Sequence, residues 1–336
     1  MSTAVEIPQL RNSERLQFAT CPQAWFWSYE WKLKPKTQKP ALRFGSLVHS
    51  AMEQFYLPGL KRGPRPAVTF LKEYEAQLAE YGSMGVYDDD EWHEAGHLGV
   101  SLLEAYWDRY GKDDRWKVLA TEIPFKVLVT DPKTGLQFYY VGVLDGLWLD
   151  RESGKRKDVW IADHKTTSDD PTKKSAALIL DEQAGSYWSF GQDYMIEQGL
   201  IDPKLGLAGM MFNFIRKGKP DTRPQNEQGH YLNKDGTVSK KQPAPLFWRE
   251  PVFRSEHDKE MCRKRIIAQA RTMHYMRTDK LEVYKTPGVL HRPHCNWCDH
   301  KDMCEMHETG GDWQSLKKAL YMNWDPYAQH EIYEDR

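Results

Sequence analysis

Acidic and lysine side chains occur at spacings that could build a metal-dependent hydrolytic site. In IADHKTT, Asp163 and Lys165 are two residues apart, so on a strand both point to one face. The preceding apolar segment VGVLDGLWLD contains Asp145, and a lone buried acid is costly unless it is paired or binds a cation. Two converging carboxylates repel each other, and Mg²⁺ or Mn²⁺ would relieve that repulsion. With Lys165 beside a water and an incoming anion, these groups predict metal-assisted phosphodiester hydrolysis.

Two residue pairs at helical spacing extend this set. His49 and Glu53 are four residues apart, and Gln183 and Tyr187 repeat the spacing, so each pair shares one helix face. Each pair alone is more often structural than functional, and the acid–lysine pair alone could be a salt bridge at a sheet edge. In chain order, however, they form a series: G-x-x-x-H, G-x-x-D, D-x-K and Q-x-x-x-Y.

A thiol cluster lies near the end of the chain. The segment CNWCDHKDMC contains Cys295, Cys298 and Cys304, and the two other cysteines of the chain are Cys21 and Cys262. Four thiolates hold either structural zinc or a [4Fe–4S] cluster, and the spacing alone favours zinc, the commoner metal of such sites. Both candidates for the fourth ligand stay open at this point. Neighbouring histidines also leave a mixed-ligand zinc site open: His291, His294 and His300.

The elements that must position these groups follow from the hydrophobic pattern. Ser13 is the predicted N-cap of a helix through ERLQFATCPQAWFWSYEW. Apolar, β-branched and aromatic runs separated by turn residues predict a meander of three strands. The predicted helices are RFGSLVHSAMEQFYLPG, 67–80, 90–111, 178–198 and 255–278, and the predicted strands are 116–129, 136–150, 158–167, 207–217 and PLFWREPVF. This order indicates an α/β or α+β fold.

Length and composition limit the class of protein. The 336 residues are 40% hydrophobic and 28% charged, and no apolar run reaches the length of a membrane span. The first residues lack a signal-peptide core and the chain has only five cysteines, so we expect a cytoplasmic protein without a membrane partner. A net charge of −1 argues against a general coat for nucleic acid but leaves a local basic groove open.

The motif series resembles the RecB-like branch of the PD-(D/E)XK nuclease superfamily. Its order and spacing match across roughly residues 10–305, and Leu144 stands where the namesake proline would be, as is common in this branch. The resemblance implies a restriction-endonuclease-like core, with a central mixed sheet flanked by helices. The matching motifs are GSLVH (45–49), GVLD (142–145), DHK (163–165) and QAGSY (183–187).

The resemblance also implies roles for individual residues. Lys165 would position or activate the water and steady developing charge, while Gln183 and Tyr187 would shape the site and contact DNA. Glu122, in TEIPF, matches an acid often found at the start of the sheet in this branch. The implied ligands of a catalytic Mn²⁺ or Mg²⁺ ion are His49, Asp145 and Asp163.

Iron–sulfur nucleases of the same branch account for the cysteines. The AddB nuclease domain and the CRISPR-associated RecB-like exonucleases have one cysteine before the nuclease core and three after it. The resemblance therefore implies that Cys21 completes a [4Fe–4S] site with Cys295, Cys298 and Cys304, and that Cys262 is an ordinary helix cysteine. Such a site would join the N- and C-terminal segments.

A single nuclease domain over residues 1–336 follows from the resemblance. Its expected parts are an N-terminal helix with the first cluster cysteine (10–35), a nuclease core (41–217), a loop (218–245), a C-terminal strand and helix (246–290) and a cysteine knot (291–305).

The implied function is a metal-dependent DNA exonuclease that prefers single strands or ends. It would act in recombination, repair, a CRISPR-associated process or phage DNA metabolism. The chain has no G-x-x-x-x-G-K-[ST] motif, so a helicase or recombination partner would supply any unwinding. The alternatives are a non-catalytic DNA-end-binding module on the same fold and a zinc-stabilised protein of another fold. RNA remains open as a substrate.

Overall fold

The core of the protein is a mixed six-stranded sheet. A computed structural model of the chain describes residues 7–36, 40–83, 89–202, 204, 207–290 and 293–328. Within these ranges the strands are β1 (Gln9–Arg11), β2 (Leu33–Pro35), β3 (Trp116–Thr130), β4 (Gln137–Asp150), β5 (Val159–Thr167), β6 (Leu207–Arg216), β7 (Phe247–Phe253) and β8 (Tyr321–Asn323).

The strand order explains how two acidic strands become neighbours. The sheet runs β1-β4-β5-β6-β7, and β3 pairs with the other edge of β4. β3, β4 and β5 form the predicted antiparallel meander, whereas β5 pairs with β6 in parallel. β1 adds to β4 in parallel, and β7 closes the far edge antiparallel to β6. The predicted α/β class with a central mixed sheet is confirmed.

Helices cover both faces of this sheet. One hydrophobic core contains Ile161, Phe212 and Met273. The other contains Phe55 and Met211 and lies on the opposite face, because side chains alternate along a strand. The helices are α1 (Asn12–Thr20), α2 (Pro22–Trp25), α3 (Pro40–Phe55), α4 (Pro66–Ser83), α5 (Asp89–Tyr110), α6 (Pro171–Lys174), α7 (Glu182–Ser186), α8 (Gln192–Glu197), α9 (Glu256–Arg277), α10 (Lys301–Glu308) and α11 (Trp313–Leu320). In this part of the chain, none of them is both long and apolar enough to cross a membrane.

The N-terminal helix differs from its prediction. Its N-cap is Arg11, so the predicted cap at Ser13 is wrong. The helix also breaks at Cys21, whose φ of −159° and ψ of 110° are extended. Pro22 causes the break, because proline disfavours helical geometry in the residue before it. The break places Cys21 beside a distant segment, where its Sγ accepts the backbone N–H of Thr286 at 3.5 Å.

The two ends of the chain pack together in a small second layer that the hydrophobic pattern did not predict. β2 pairs antiparallel with β8, and Trp27, Leu33, Met303 and Tyr321 form a separate apolar cluster. Residues 218–245 form an irregular loop with two isolated bridges. The predicted knot over 291–305 is described only from residue 293, so His291 lies outside the described residues.

Candidate active site

The sheet forks at the two predicted metal-binding acids. The β4–β5 ladder ends at Gly146 paired with Ala162. Asp145 and Asp163 are the next residues on the two strands, and their charges are close enough to interact. Asp145 Oδ2 accepts the backbone N–H of His164 at 2.7 Å. This side chain therefore satisfies a backbone donor that the ladder no longer pairs.

Lys165 links the fork to helix α7. Its Nζ lies 3.0 Å from Asp163 Oδ1 and 2.8 Å from Oδ2, as expected for residues on one face of a strand. Nζ also donates to Gln183 Oε1 at 2.6 Å, and Gln183 Nε2 donates to Tyr187 Oη at 2.8 Å. Asp181 caps the helix by accepting the N–H of Ala184, which fixes the turn that carries Gln183. The structure thus brings these predicted residues together.

Burial and charge set the protonation of this cluster. Asp163 is 1% exposed, and burial raises its pKa to about 6 against the opposing charge of Lys165. Burial lowers the pKa of Lys165, but the charges of Asp163 and Asp145 outweigh it, so the pKa lies above its usual value. Burial and the same two carboxylates raise the pKa of Tyr187 well above its usual range. At neutral pH the site therefore contains an ion pair and a neutral phenol.

His49 reaches the fork from the opposite layer. Its Nδ1 lies 3.6 Å from Asp145 Oδ2, and its side chain is 40% exposed. Helix α3 can lie this close to β5 because residue 45 is a glycine. A Cβ at this position would stand only 3.3 Å from Thr166 Oγ1. Gly45 is the glycine of the predicted G-x-x-x-H motif, so close packing of α3 on β5 explains why the motif has a glycine at this position.

Glu122 has an unusual backbone on the neighbouring strand. Its φ is 45°, in the left-handed region that only a few per cent of non-glycine residues adopt. Thr121 pairs with Gly146 and Ile123 pairs with Leu144, so Glu122 stands at the level of Asp145 in the β3–β4 register. Such outliers cluster at functional sites. The left-handed backbone of Glu122 therefore supports this acid of TEIPF as a candidate site residue.

Two buried polar residues near the fork were not predicted. His164 lies between the motif residues Asp163 and Lys165, and its side chain points to the other face of β5. Asn213 is fully buried on β6 and pairs in register with His164. Burial lowers the pKa of His164 to about 3, so its ring is neutral. The sequence signal was a lone amide inside the apolar run LAGMMFNFI.

The cysteines separate into two environments. The charges of Cys21 and Cys304 help raise the pKa of Cys298 to about 11, after the larger effect of burial. The charges of Cys21 and Cys295 likewise help to raise the pKa of Cys304. Cys262 lies elsewhere, in the main core, where its Sγ would stand 3.1 Å from a Cβ on Gly185. Cys21 and the three C-terminal cysteines are therefore neighbours, and Cys262 is not among them.

The donor atoms of the two candidate sites match the implied metals in chemical type. In the described ranges, no group of three or more His, Cys, Asp or Glu side chains is arranged to hold a metal ion. Single atoms nevertheless fit: Asp163 Oδ2 is buried and accepts no hydrogen bond, despite its short contact with Lys165. Carboxylate oxygens suit Mg²⁺ and Mn²⁺. Sulfur atoms of Cys21, Cys295 and Cys298 each accept a backbone N–H, as do cluster-binding thiolates.

Two runs of basic residues, FIRKGK (214–219) and CRKR (262–265), include arginines that make contacts within the protein. Arg216 donates to the carbonyls of Ala244 and Pro245. Arg263 binds the carbonyl of Ser189 and pairs with Asp193. Because these two guanidinium groups hold loops and helices together, they are less available to bind the phosphates of a nucleic-acid strand.

Comparisons with known proteins identify the family. No curated protein was found to match the chain. The crystal structure of SSO0001 aligns with 90% of this chain and 89% of that one, at 11% identity and a TM-score of 0.31, a likeness too loose to establish a shared fold. Residues 13–305 match the sequence model of the PD-(D/E)XK nuclease superfamily, whose members typically use Mg²⁺ or Mn²⁺. With that match covering most of its length, the chain belongs to the PD-(D/E)XK nuclease superfamily.

Proposed function

We propose that the protein is a metal-dependent DNA exonuclease of the RecB-like type, preferring single strands or DNA ends. The observation that carries the proposal is the fork, where Lys165 Nζ lies 3.0 Å from Asp163 Oδ1 and the charge of Asp145 is close enough to interact with both residues. Superfamily membership implies nuclease activity. The order of the four motifs supports the finer assignment to the RecB-like branch.

Each residue has a task that its contacts support. Asp145, Asp163 and His49 would hold a divalent cation, which supplies a Lewis acid that polarises the scissile phosphate. Lys165, charged and oriented by Gln183, would hold the attacking water and offset the negative charge that develops on the phosphate oxygens. The imidazole nitrogen favours Mn²⁺ over Mg²⁺.

An open groove beside the fork supports a nucleic-acid strand as the substrate. It has a volume of about 300 Å³, and Gln183, Tyr187 and Arg11 are among the residues that line it. Gln183 also binds Lys165, so the groove adjoins the reacting groups. A guanidinium group in such a groove suits a phosphate of the strand. The remaining lining residues are Asn12, Ser13, Leu16, Val141, Gly142 and Val143.

We also propose that Cys21, Cys295, Cys298 and Cys304 hold a [4Fe–4S] cluster. The backbone N–H groups aimed at three of these sulfurs support it, because such bonds stabilise thiolates. The two described rings nearby have other partners: His294 Nε2 lies 2.6 Å from the carbonyl oxygen of Thr286, and His300 Nε2 lies 2.7 Å from Ser28 Oγ. The cluster would be structural, and any DNA unwinding would come from a helicase or recombination partner.

The test is cleavage of end-labelled single- and double-stranded DNA, with RNA alongside. Anaerobically purified protein would be assayed with Mn²⁺, Mg²⁺ or EDTA, together with Asp163→Ala and Lys165→Ala. We expect metal-dependent release of short products from single strands and loss of activity in both variants. The label released first gives the polarity.

A matched control separates chemistry from folding. Lys259 forms a part-buried pair with Asp193 at 2.6 Å, resembling the Lys165–Asp163 pair but outside the fork. Lys259→Ala should retain cleavage. If the native protein and both site variants bind DNA ends but cleave nothing, the alternative of a non-catalytic end-binding module replaces the exonuclease.

A further inference from the structure

A chain of buried polar groups runs behind the fork. Arg249 on β7 pairs with Asp113 and donates to Tyr56 Oη at 2.9 Å. Tyr56 and Tyr106 share a hydrogen bond between their hydroxyl groups, and Asn213 Nδ2 donates to Tyr106 Oη at 2.8 Å. The chain crosses the layer between the sheet and helices α3 and α5, in the middle of an apolar core.

This series of buried polar groups ends at His164, which contacts two of the proposed metal ligands, Asp145 and His49. Asn213 Nδ2 lies 2.8 Å from His164 Nδ1, and the His164 ring stacks on Tyr56 at 5.3 Å. The backbone N–H of His164 in turn holds Asp145 Oδ2 at 2.7 Å. The His164 ring also makes an edge-on contact with the His49 ring, with the two centroids 6.3 Å apart. One residue thus touches two of the three proposed metal ligands.

Stability does not require such an arrangement. Buried polar networks cost desolvation, and apolar residues of similar volume commonly replace them without loss of stability. The neighbours of Asn213 on the same face of β6, Met211 and Ile215, show that this surface accepts apolar side chains. An amide in this place fixes the tilt of the His164 ring, which packing alone would leave less defined.

We infer that Asn213 is a positioning residue, which acts through His164 to keep Asp145 and His49 close together for binding of the divalent cation. The inference rests on the proposed function for the identity of the metal ligands. Partners of metal ligands typically contribute 10- to 100-fold to metal affinity. Loss of the amide should therefore raise the Kd for the divalent cation, with a smaller effect on the stability of the fold.

The experiment measures Mn²⁺ binding directly, from the electron paramagnetic resonance signal of free Mn²⁺, without substrate. Asn213→Leu keeps the volume and removes the amide, and we expect its Kd for Mn²⁺ to rise about tenfold. His164→Phe keeps the stacking on Tyr56 but removes Nδ1, and should weaken binding in the same direction if Asn213→Leu does not fold. Asp145→Ala identifies the binding as that of the fork.

Met211→Ala is the matched control, since it removes packing from the same strand and face without touching the amide. It should lower the unfolding midpoint and leave the Kd for Mn²⁺ unchanged. Native affinity in Asn213→Leu and His164→Phe would overturn the inference while leaving the nuclease proposal intact. A native protein that binds Mn²⁺ but cleaves nothing would overturn the nuclease alone. Absence of Mn²⁺ binding in the native protein would overturn both.

A second readout needs no metal. Because Asn213 Nδ2 donates to Nδ1, the neutral His164 ring must carry its hydrogen on Nε2. Nitrogen chemical shifts of histidine-labelled, metal-free protein should show this tautomer, and Asn213→Leu should lose the preference for it. A native ring protonated on Nδ1 would contradict the inferred contact.

Discussion

The charge of a buried residue at the fork depends on its partners as much as on its burial. Asp163 has a raised pKa because it is withdrawn from water, yet Lys165 keeps it ionised at neutral pH. Lys165 keeps its charge for the reciprocal reason, since two carboxylates outweigh the cost of burying it. Gln183 and Tyr187 then use neutral hydrogen bonds to hold the ammonium group in place. A cation held between acids and amides is suited to orient a water against a phosphate.

Gln183→Leu should lower kcat about 10- to 100-fold with little change in KM, because Lys165 loses the acceptor that orients it. Single-turnover cleavage of labelled DNA measures the effect. Tyr187→Phe is the comparison: it removes only the phenolic oxygen and leaves the bond between Gln183 and Lys165, so its loss should be smaller. Equal rates for Gln183→Leu and the native protein would show that Lys165 needs no amide partner.

Strands and helices place these residues through close backbone approaches. The fork exists because the β4–β5 ladder stops where the two acids begin. Helix α3 lies on β5 at Gly45, and the β6–β7 edge closes at Gly209. Gly209 has a φ of 153°, and a Cβ there would stand 2.1 Å from the carbonyl oxygen of Val252. The edge pair that carries Arg249 therefore depends on the absence of one side chain.

Gly209→Ala should destabilise the protein by about 3 kcal/mol, because the methyl group collides with β7 and the backbone is strained. Gly135→Ala, also at positive φ but with no atom within 4 Å of its Cβ, should cost only about 1 kcal/mol. Urea unfolding of both variants gives the comparison. If the two variants lost equal stability, backbone strain alone would account for both.

Over the whole molecule, the two ends of the chain support each other beside the nuclease core. β2 pairs with β8, and Arg277 on α9 binds both Glu14 and Glu30. The indole N–H of Trp25 also donates a hydrogen bond to Glu14, so the fully buried carboxylate of Glu14 has several partners inside the protein. The proposed cluster cysteines lie in this same region, so a cluster there would add to contacts that already join the ends.

Cys298→Ala should lose most of the iron, expected at about four atoms per chain, and should lower the Tm. Cys262→Ala is the matched control, since Cys262 is equally a cysteine with a raised pKa but lies in the main core. Iron and sulfide analysis with visible absorbance of anaerobic protein measures the first effect, and thermal unfolding the second. Zinc in place of iron would favour the structural zinc alternative.

The global stability should fall in acid through Asp131. This buried residue at the β3–β4 turn is held by Arg271, whose hydrogen bonds keep the pKa of Asp131 well below its ordinary value of 3.8. Its contribution is complete above that value and is lost as pH falls toward the lower pKa of the folded state. Between about pH 5 and 3, the free energy of unfolding should therefore fall faster for the native protein than for Asp131→Asn. Parallel slopes would contradict this.

Local patterns in the sequence predicted the strands, the longer helices and the candidate site residues. Apolar, β-branched and aromatic runs between turn residues predicted β3, β4 and β5, and the period of two along a strand placed Asp163 and Lys165 on one face. The spacing of four in the QAGSY motif predicted that Gln183 and Tyr187 share a face, as their hydrogen bond shows. These features depend on residues close in the chain, so a sequence contains their cause.

Only the tertiary structure decided which residues from distant segments of the chain are in contact. The fork depends on where a ladder stops, and the contact of His164 with Asn213 depends on the pairing of β5 with β6, 49 residues apart in the chain. Pro22 is a local signal for the helix break at Cys21. No local signal predicts that Cys21 lies beside the distant Thr286. Packing across a sheet depends on the register of every strand at once, which no local pattern specifies.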